Sequence, residues 1–213
     1  MQLQKILFAL CFITLILISF GIKLIEFDNP YSGFHLVRQI DNLVAIENYF
    51  IEGIELKRRL ISGRFILYEL PIYHTLAAIL SSSQADILSV ARVVNLVFAL
   101  LSMVLLFRIA TIWFDVKTAI YSTLFFAFAP MNLMYHRSVM MDISSVFFCL
   151  AATWLLLEYL NNGKKLWHIS LFIFAGGLSV VTKPLYFFPV GAIALANFIT
   201  QYRPPFSINA TEY

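Results

Sequence analysis

The polar side chains of this chain collect in a few short stretches. "GFHLVRQIDN" (residues 33–42) carries His35, Arg38, Gln39 and Asp41, and "YELPIYH" (68–74) carries Glu69 and His74. "MYHRSVMMD" (134–142) carries His136, Arg137 and Asp142, and "VVTKPLYFF" (180–188) carries Lys183. Carboxylates can take protons from weak nucleophiles, and Arg and Lys hold anions, Arg by two parallel hydrogen bonds. No metal or disulfide framework accompanies them. Cys11 and Cys149 both lie in apolar segments, and no CxxC or Cys/His ligand spacing exists. No basic run interleaved with aromatics points to nucleic acid.

The elements that must position these groups are dictated by composition. The chain is 61% hydrophobic and 13% charged, and Phe alone appears 21 times. With a mean hydropathy of +0.83, this composition indicates an integral membrane protein rather than a soluble domain. A bilayer core takes roughly 20 apolar residues in a helix. Candidate spans are 6–22, 87–112, 118–136, 142–160, 166–182 and 185–200, which makes six. The first is flanked by Lys5 and Lys23 and is followed by no small-x-small cleavage site, so it reads as a retained helix. "LPIYHTLAAIL" (70–80) is too short to cross and reads as an interfacial or re-entrant helix. The expected fold is all-α, a polytopic membrane helical bundle. Its module runs over 1–203, its outer loop over about 26–86, and residues 204–213 form a short cytoplasmic tail.

Short loops rich in Lys and Arg stay in the cytoplasm. Lys5, the Arg108/Lys117 loop, the Lys164–Lys165 loop and Arg203 fall on one side when there are six spans. The outer loop holds Lys57, Arg58, Arg59 and Arg64, but long loops translocate largely regardless of charge. The opposite, outer face then gathers Asp28, His35, Arg38, Asp41, Glu69, His136, Arg137, Asp142 and Lys183. Charged groups near a bilayer are costly unless paired or functional, so their convergence on one face is the main bottom-up sign of a site.

Each stretch also has a plainer reading. Ser32 and Gly53 bracket an amphipathic helix with Leu36, Ile40, Leu43, Phe50 and Ile51 on its apolar face. Its polar face, with Arg38, Asp41, Asn48 and Glu52, looks either into a cavity or merely into solvent. Glu69 and His74 fit the cap of a short helix starting near Pro71. Arg137 and Asp142 fit an ordinary interfacial pair, and Lys183 and Arg92 fit snorkelling side chains. Gly176 and Gly177 suit close helix packing.

Taken together, "HLVRQIDNLVAIENYF", "YELPIYHTLAAIL", "ARVVNLVFALLSMVLLFRIATIWF", "FAPMNLMYHRSVMMD" and "LSVVTKP" occur in an order and spacing that resembles the GT-C fold glycosyltransferases. These use polyprenyl-phosphate sugars. The nearest branch is the dolichyl-phosphate-mannose-protein mannosyltransferase-like and aminoarabinose-transferase-like enzymes. Its His-x-x-Arg-Gln-x-Asp segment matches His35, Arg38, Gln39 and Asp41. Its Glu-x-Pro segment matches Glu69 and Pro71. Its Arg-x-x-Met-x-Asp segment matches Arg137, Met140 and Asp142, and its Thr-Lys matches Thr182 and Lys183.

The resemblance implies an inverting hexosyl or pentosyl transfer at the outer face of a bacterial or archaeal plasma membrane. The donor is a polyprenyl-phosphate sugar, and the acceptor is a hydroxyl or amine on a glycan, lipid or protein. It implies Asp41 as the base, with Asp28 in reserve. Arg38, Arg137 and Lys183 are implied for the donor phosphate, with His35, Gln39, Glu69 and Asp142 as further binding residues. No cofactor is implied; a divalent metal is compatible with this branch but not required by it, and none is predicted. The resemblance covers about residues 5–200, an N-terminal membrane module; family members usually carry a further half with more spans, so a partner subunit completing the enzyme is an open expectation. Two other classes stand beside the enzyme: a non-catalytic or degenerate membrane subunit, and a small transporter. Transport fits less well, because the charges sit at span ends and no internal repeat is present.

The topology is directly testable. A cysteine placed at Gly163 should resist membrane-impermeant thiol reagents in intact cells, and one at Ser62 should react. The reverse pattern would put the polar stretches in the cytoplasm and remove the site.

Overall fold

The structure is a computed structural model. It describes residues 2–25, 27, 35–56, 58–59, 62–63, 65–66, 69–161, 165–193 and 195. Asp28, the reserve base, lies outside the described residues, as does Ser32.

The described chain is all-α apart from one two-residue antiparallel ladder. Helix α1 is Gln2–Leu24, α2 is Leu36–Glu52, α3 is Ile72–Leu80 and α4 is Ile87–Trp113. Then come α5, Val116–Phe128; α6, Pro130–Tyr135; α7, Asp142–Asn161; and α8, Leu166–Thr182. A 3-10 turn, Pro184–Phe187, opens a helical stretch that reaches Ile193. The ladder pairs β1, Arg58–Arg59, with β2, Phe65–Ile66. Among the described residues two helices are long and apolar enough to cross a membrane, Gln84–Trp113 and Asp142–Asn161. Shorter apolar helices are Leu10–Leu24, Val116–Phe128, Leu166–Thr182 and Pro184–Ile193.

The main core lies where α2, α3, α4 and α7 meet. Ile46 and Tyr49 of α2, Tyr73 and Ala77 of α3, Ala91 and Phe98 of α4, and Ile143 of α7 pack there. Small residues let the helices approach, since Ala45, Ala77, Ala91, Ala99 and Ala152 are all fully buried. Helices α7 and α8 are locked by a reciprocal serine pair. Ser145 Oγ donates to the Ser179 carbonyl at 3.2 Å, and Ser179 Oγ donates to the Ser145 carbonyl at 3.3 Å. Gly176 matters for the segment after α8: a Cβ there would stand 2.9 Å from the Phe187 ring. Gly177 has nothing within 4 Å, so only the first of the two glycines serves packing.

The span expected over 118–136 is broken. Pro130 has no N–H, so the Phe126 carbonyl four residues earlier loses its helical donor. Asn132 Nδ2 replaces it at 2.8 Å. The Ala127 carbonyl is taken by α1, from Ser19 Oγ at 2.8 Å and Lys23 Nζ at 3.2 Å. Lys23, expected only as a flanking charge, is fully buried at this break.

Arg92 also departs from the snorkelling expectation. It is buried, its Nη1 donates to the Phe27 carbonyl, and its guanidinium lies 5.9 Å from the Phe27 ring centre. His74 departs from the capping expectation: it lies buried within α3, which starts after Pro71, and meets Asn42 of α2. Helix α2 turns a different face inward from the one its hydropathy suggests. Its buried residues are Gln39, Asn42, Ala45, Ile46 and Tyr49, while Leu36 and Ile51 are exposed.

The Pro130 break gives a double-mutant test. Asn132→Leu should lower stability by about 1 kcal/mol by orphaning the Phe126 carbonyl. In a Pro130→Ala background, where residue 130 regains its N–H, the same change should cost markedly less. Thermal unfolding in detergent micelles measures both, and equal costs would refute the account.

Candidate functional site

Five elements bring polar groups to one end of the bundle: the start of α2, the segment before α3, the start of α4, the turn into α7 and the end of α8. Residues 137–140 connect α6 to α7 outside the i→i−4 hydrogen-bond pattern, so their carbonyls lack helical donors. Two asparagine amides supply them. Asn95 Nδ2 donates to the Ser138 carbonyl at 2.6 Å and to the Met140 carbonyl at 2.8 Å. Asn42 Nδ2 donates to the Val139 carbonyl at 2.8 Å, and Gln39 Oε1 accepts from the Val139 N–H at 3.4 Å. Asn42 Oδ1 in turn meets His74 Nε2 at 3.0 Å, linking α2 to α3. Gln39, Asn42, His74 and Asn95 are all buried.

This fixed turn delivers Asp142 at the first position of α7. Its Oδ1 accepts from Lys183 Nζ, with which it forms an ion pair, and from the Tyr186 hydroxyl at 2.9 Å. Lys183 follows α8 directly, and Pro184 starts the turn that carries Tyr186, so one short segment supplies both partners. The Leu70 N–H donates to the Val181 carbonyl at 2.7 Å, which seats Glu69 beside the end of α8. Glu69 Oε1 lies 3.9 Å from Arg38 Nη2. Arg38 is close enough to act electrostatically on both Asp142 and Tyr186.

The sequence-derived candidates thus fall into groups. Arg38, Glu69, Asp142 and Lys183 come together. Gln39 is buried and holds the Val139 N–H. His35 stands exposed just before α2 in a left-handed conformation (φ 61°), its ring centre 6.1 Å from that of Tyr135. Asp41 is half-buried, one helical turn after Arg38. Arg137 does not pair with Asp142; its Nη1 donates to the Ile25 carbonyl at 3.2 Å and ties the turn to the end of α1. Among the described residues no group of three or more His, Cys, Asp or Glu side chains could hold a metal ion.

Sequence reasoning missed Tyr186, Asn42 and Asn95. Tyr186 gives no signal, being one aromatic among many. Asn95 does give one: a lone amide inside an apolar span is costly unless it has partners. Beside Asp142 opens a cleft of about 220 Å³, lined by Asn132, Tyr135, His136 and Tyr186 among others.

Asn95→Leu should therefore orphan the Met140 carbonyl and leave the Ser138 carbonyl with the Met140 N–H alone. The expected loss is about 1–3 kcal/mol. That corresponds to roughly 2–4 °C in Tm per kcal/mol for a chain of this size. An unchanged Tm would show that the turn holds without this amide.

The profile of the dolichyl-phosphate-mannose-protein mannosyltransferase family matches residues 72–207. No curated protein and no solved structure matches the chain. The family match takes in more than half of the chain, including three of the elements that build the polar end: α4, the turn into α7 and the end of α8. The chain therefore belongs to the dolichyl-phosphate-mannose-protein mannosyltransferase family.

Proposed function

We propose that this chain is the membrane module of a glycosyltransferase that moves a sugar from a polyprenyl-phosphate donor to a hydroxyl or amine acceptor. In this reading six spans cross a plasma membrane, and the polar end faces outward. The observation that carries it is the Lys183–Asp142–Tyr186 cluster with Arg38 and Glu69 beside it. Two cations tied to carboxylates at a span end suit an anionic headgroup whose lipid tail stays in the bilayer.

The chemistry follows from the bond changes. The acceptor oxygen forms a bond to the anomeric carbon while the bond from that carbon to the phosphate oxygen breaks. The bonding pair leaves with the lipid phosphate, which gains a negative charge. The acceptor proton passes to a carboxylate, and Asp41 is our assignment for that base. Lys183 and Arg38 stabilise the charge growing on the leaving phosphate. The four groups Asp142, Glu69, Lys183 and Arg38 sum to zero formal charge. A further cation is then needed for the phosphate, and Arg137, with one backbone carbonyl as its partner at 3.2 Å, is our assignment. His35 stands at the approach from α2, and Gln39 supports the turn into α7 from behind it.

Two variants test the reading in native membranes. Asp41→Asn should abolish sugar transfer without preventing membrane insertion. Lys183→Met should weaken binding of a prenyl phosphate by tenfold or more. Full transfer by the Asp41 variant would remove that residue from the mechanism, and unchanged phosphate binding by the Lys183 variant would remove the cluster.

A further inference from the structure

The cleft beside Asp142 has a feature that the phosphate cluster leaves unused. His136 is fully buried in its wall, and neither ring nitrogen has a hydrogen-bond partner. Asp142, in the same wall, has its Oδ2 buried and without a partner as well. Each such group costs about 1–3 kcal/mol, and each calls for a specific explanation. Three orphan polar atoms in the residues lining one cleft have a common one: a ligand that supplies the missing bonds.

We propose that this cleft is the subsite for the sugar ring of the carrier-linked donor, and that His136 reads one of its hydroxyls. The proposal rests on the donor reading given above and specifies where the sugar sits. Its chemistry is that of a small, hydroxylated ring. A volume of about 220 Å³ is the space of roughly seven waters. A neutral imidazole offers one donor and one acceptor, and a hydroxyl is both. Nothing anionic is bonded to His136: its ring packs 5.5 Å from that of Phe126, and the nearby charge is the Lys23 ammonium. Burial beside a cation leaves a neutral ring as the inexpensive form. Tyr135 and Tyr186 add flat aromatic surface for an apolar ring face.

The arrangement at Asp142 ties this subsite to the phosphate. Oδ1 is occupied by Lys183 and Tyr186, while the buried Oδ2 lacks a donor. One carboxylate thus borders the cation on one side and the cleft on the other. A glycosyl phosphate has the same layout, with its anion and its hydroxylated ring joined through a single oxygen.

Binding to the full chain in lipid nanodiscs, measured by titration calorimetry, tests this. The probes are short-chain prenyl phosphates bearing mannose, glucose, galactose or aminoarabinose, the bare prenyl phosphate, and the free monosaccharides. The wild type should bind one glycosylated lipid at least tenfold more tightly than the bare phosphate. His136→Phe should abolish that preference and leave affinity for the bare phosphate unchanged, which also reports that the variant is folded. His136→Gln, which keeps a donor and an acceptor, should restore part of the preference and provides the same comparison should the Phe variant not fold. A wild type with no preference for any glycosylated lipid would overturn the subsite while leaving the phosphate cluster intact. So would a Phe variant that keeps the preference, or one that loses both affinities equally. A free monosaccharide that binds as tightly as its lipid-linked form would overturn the assignment to the donor. Absence of any binding to the bare phosphate would instead overturn the parent reading.

Discussion

Buried backbone that is not helical must find donors for its carbonyls, and the rest of this structure follows from how the turn into α7 finds them. The carbonyls of Ser138, Val139 and Met140 all accept from side-chain amides. Those amides come from Asn42 on α2 and Asn95 on α4, so one irregular turn holds three helices in register. Each buried carbonyl left without a donor would cost about 1–3 kcal/mol. The same constraint explains the inward face of α2. Gln39 and Asn42 face the bundle because the turn needs them, and Leu36 and Ile51 are left outside. Asp142 is the direct beneficiary, since it begins the helix that this turn launches.

A second irregular point, at Ala129–Pro130, is solved with different chemistry. There a hydroxyl, an ammonium and one amide satisfy the Ala127 and Phe126 carbonyls. The two irregular points lie on either side of α6. Between them the chain holds Tyr135 and His136 in place without itself needing their polar atoms. Rigid support on both sides lets a fully buried imidazole keep two nitrogens unsatisfied.

The sequence showed much of this and concealed the rest for identifiable reasons. Hydropathy located α1, α4, α7 and α8 to within a few residues, because long apolar runs at helical length have few other solutions. It ran through Pro130 as one span, since a window average does not register a single missing N–H. Charge spacing brought Asp142, Lys183, Arg38 and Glu69 to one membrane face. It could not say which cation meets which carboxylate: Arg137 is five residues from Asp142 in sequence, whereas Lys183, far along the chain, is its partner. Pairing of that kind depends on helix ends meeting, and the α7–α8 serine lock that sets it leaves no periodic trace. Asn95 was readable in principle as an amide within an apolar run. Tyr186 was not, because its role depends on the turn that Pro184 begins.

The cations of this end divide by partner, and the division separates scaffold from site. Lys23 and Arg137 each donate to a backbone carbonyl, of Ala127 and Ile25. Such contacts satisfy backbone but leave the positive charge uncompensated, so they raise the local potential toward an approaching anion. Lys183 and Arg38 face carboxylates instead, and their charge is balanced where it stands. A neutral cluster inside a positive surround is stable without a ligand and still attracts an anion. Had all four cations been matched by carboxylates, that attraction would be lost. Had none been, the empty bundle would carry a large uncompensated charge at the membrane surface.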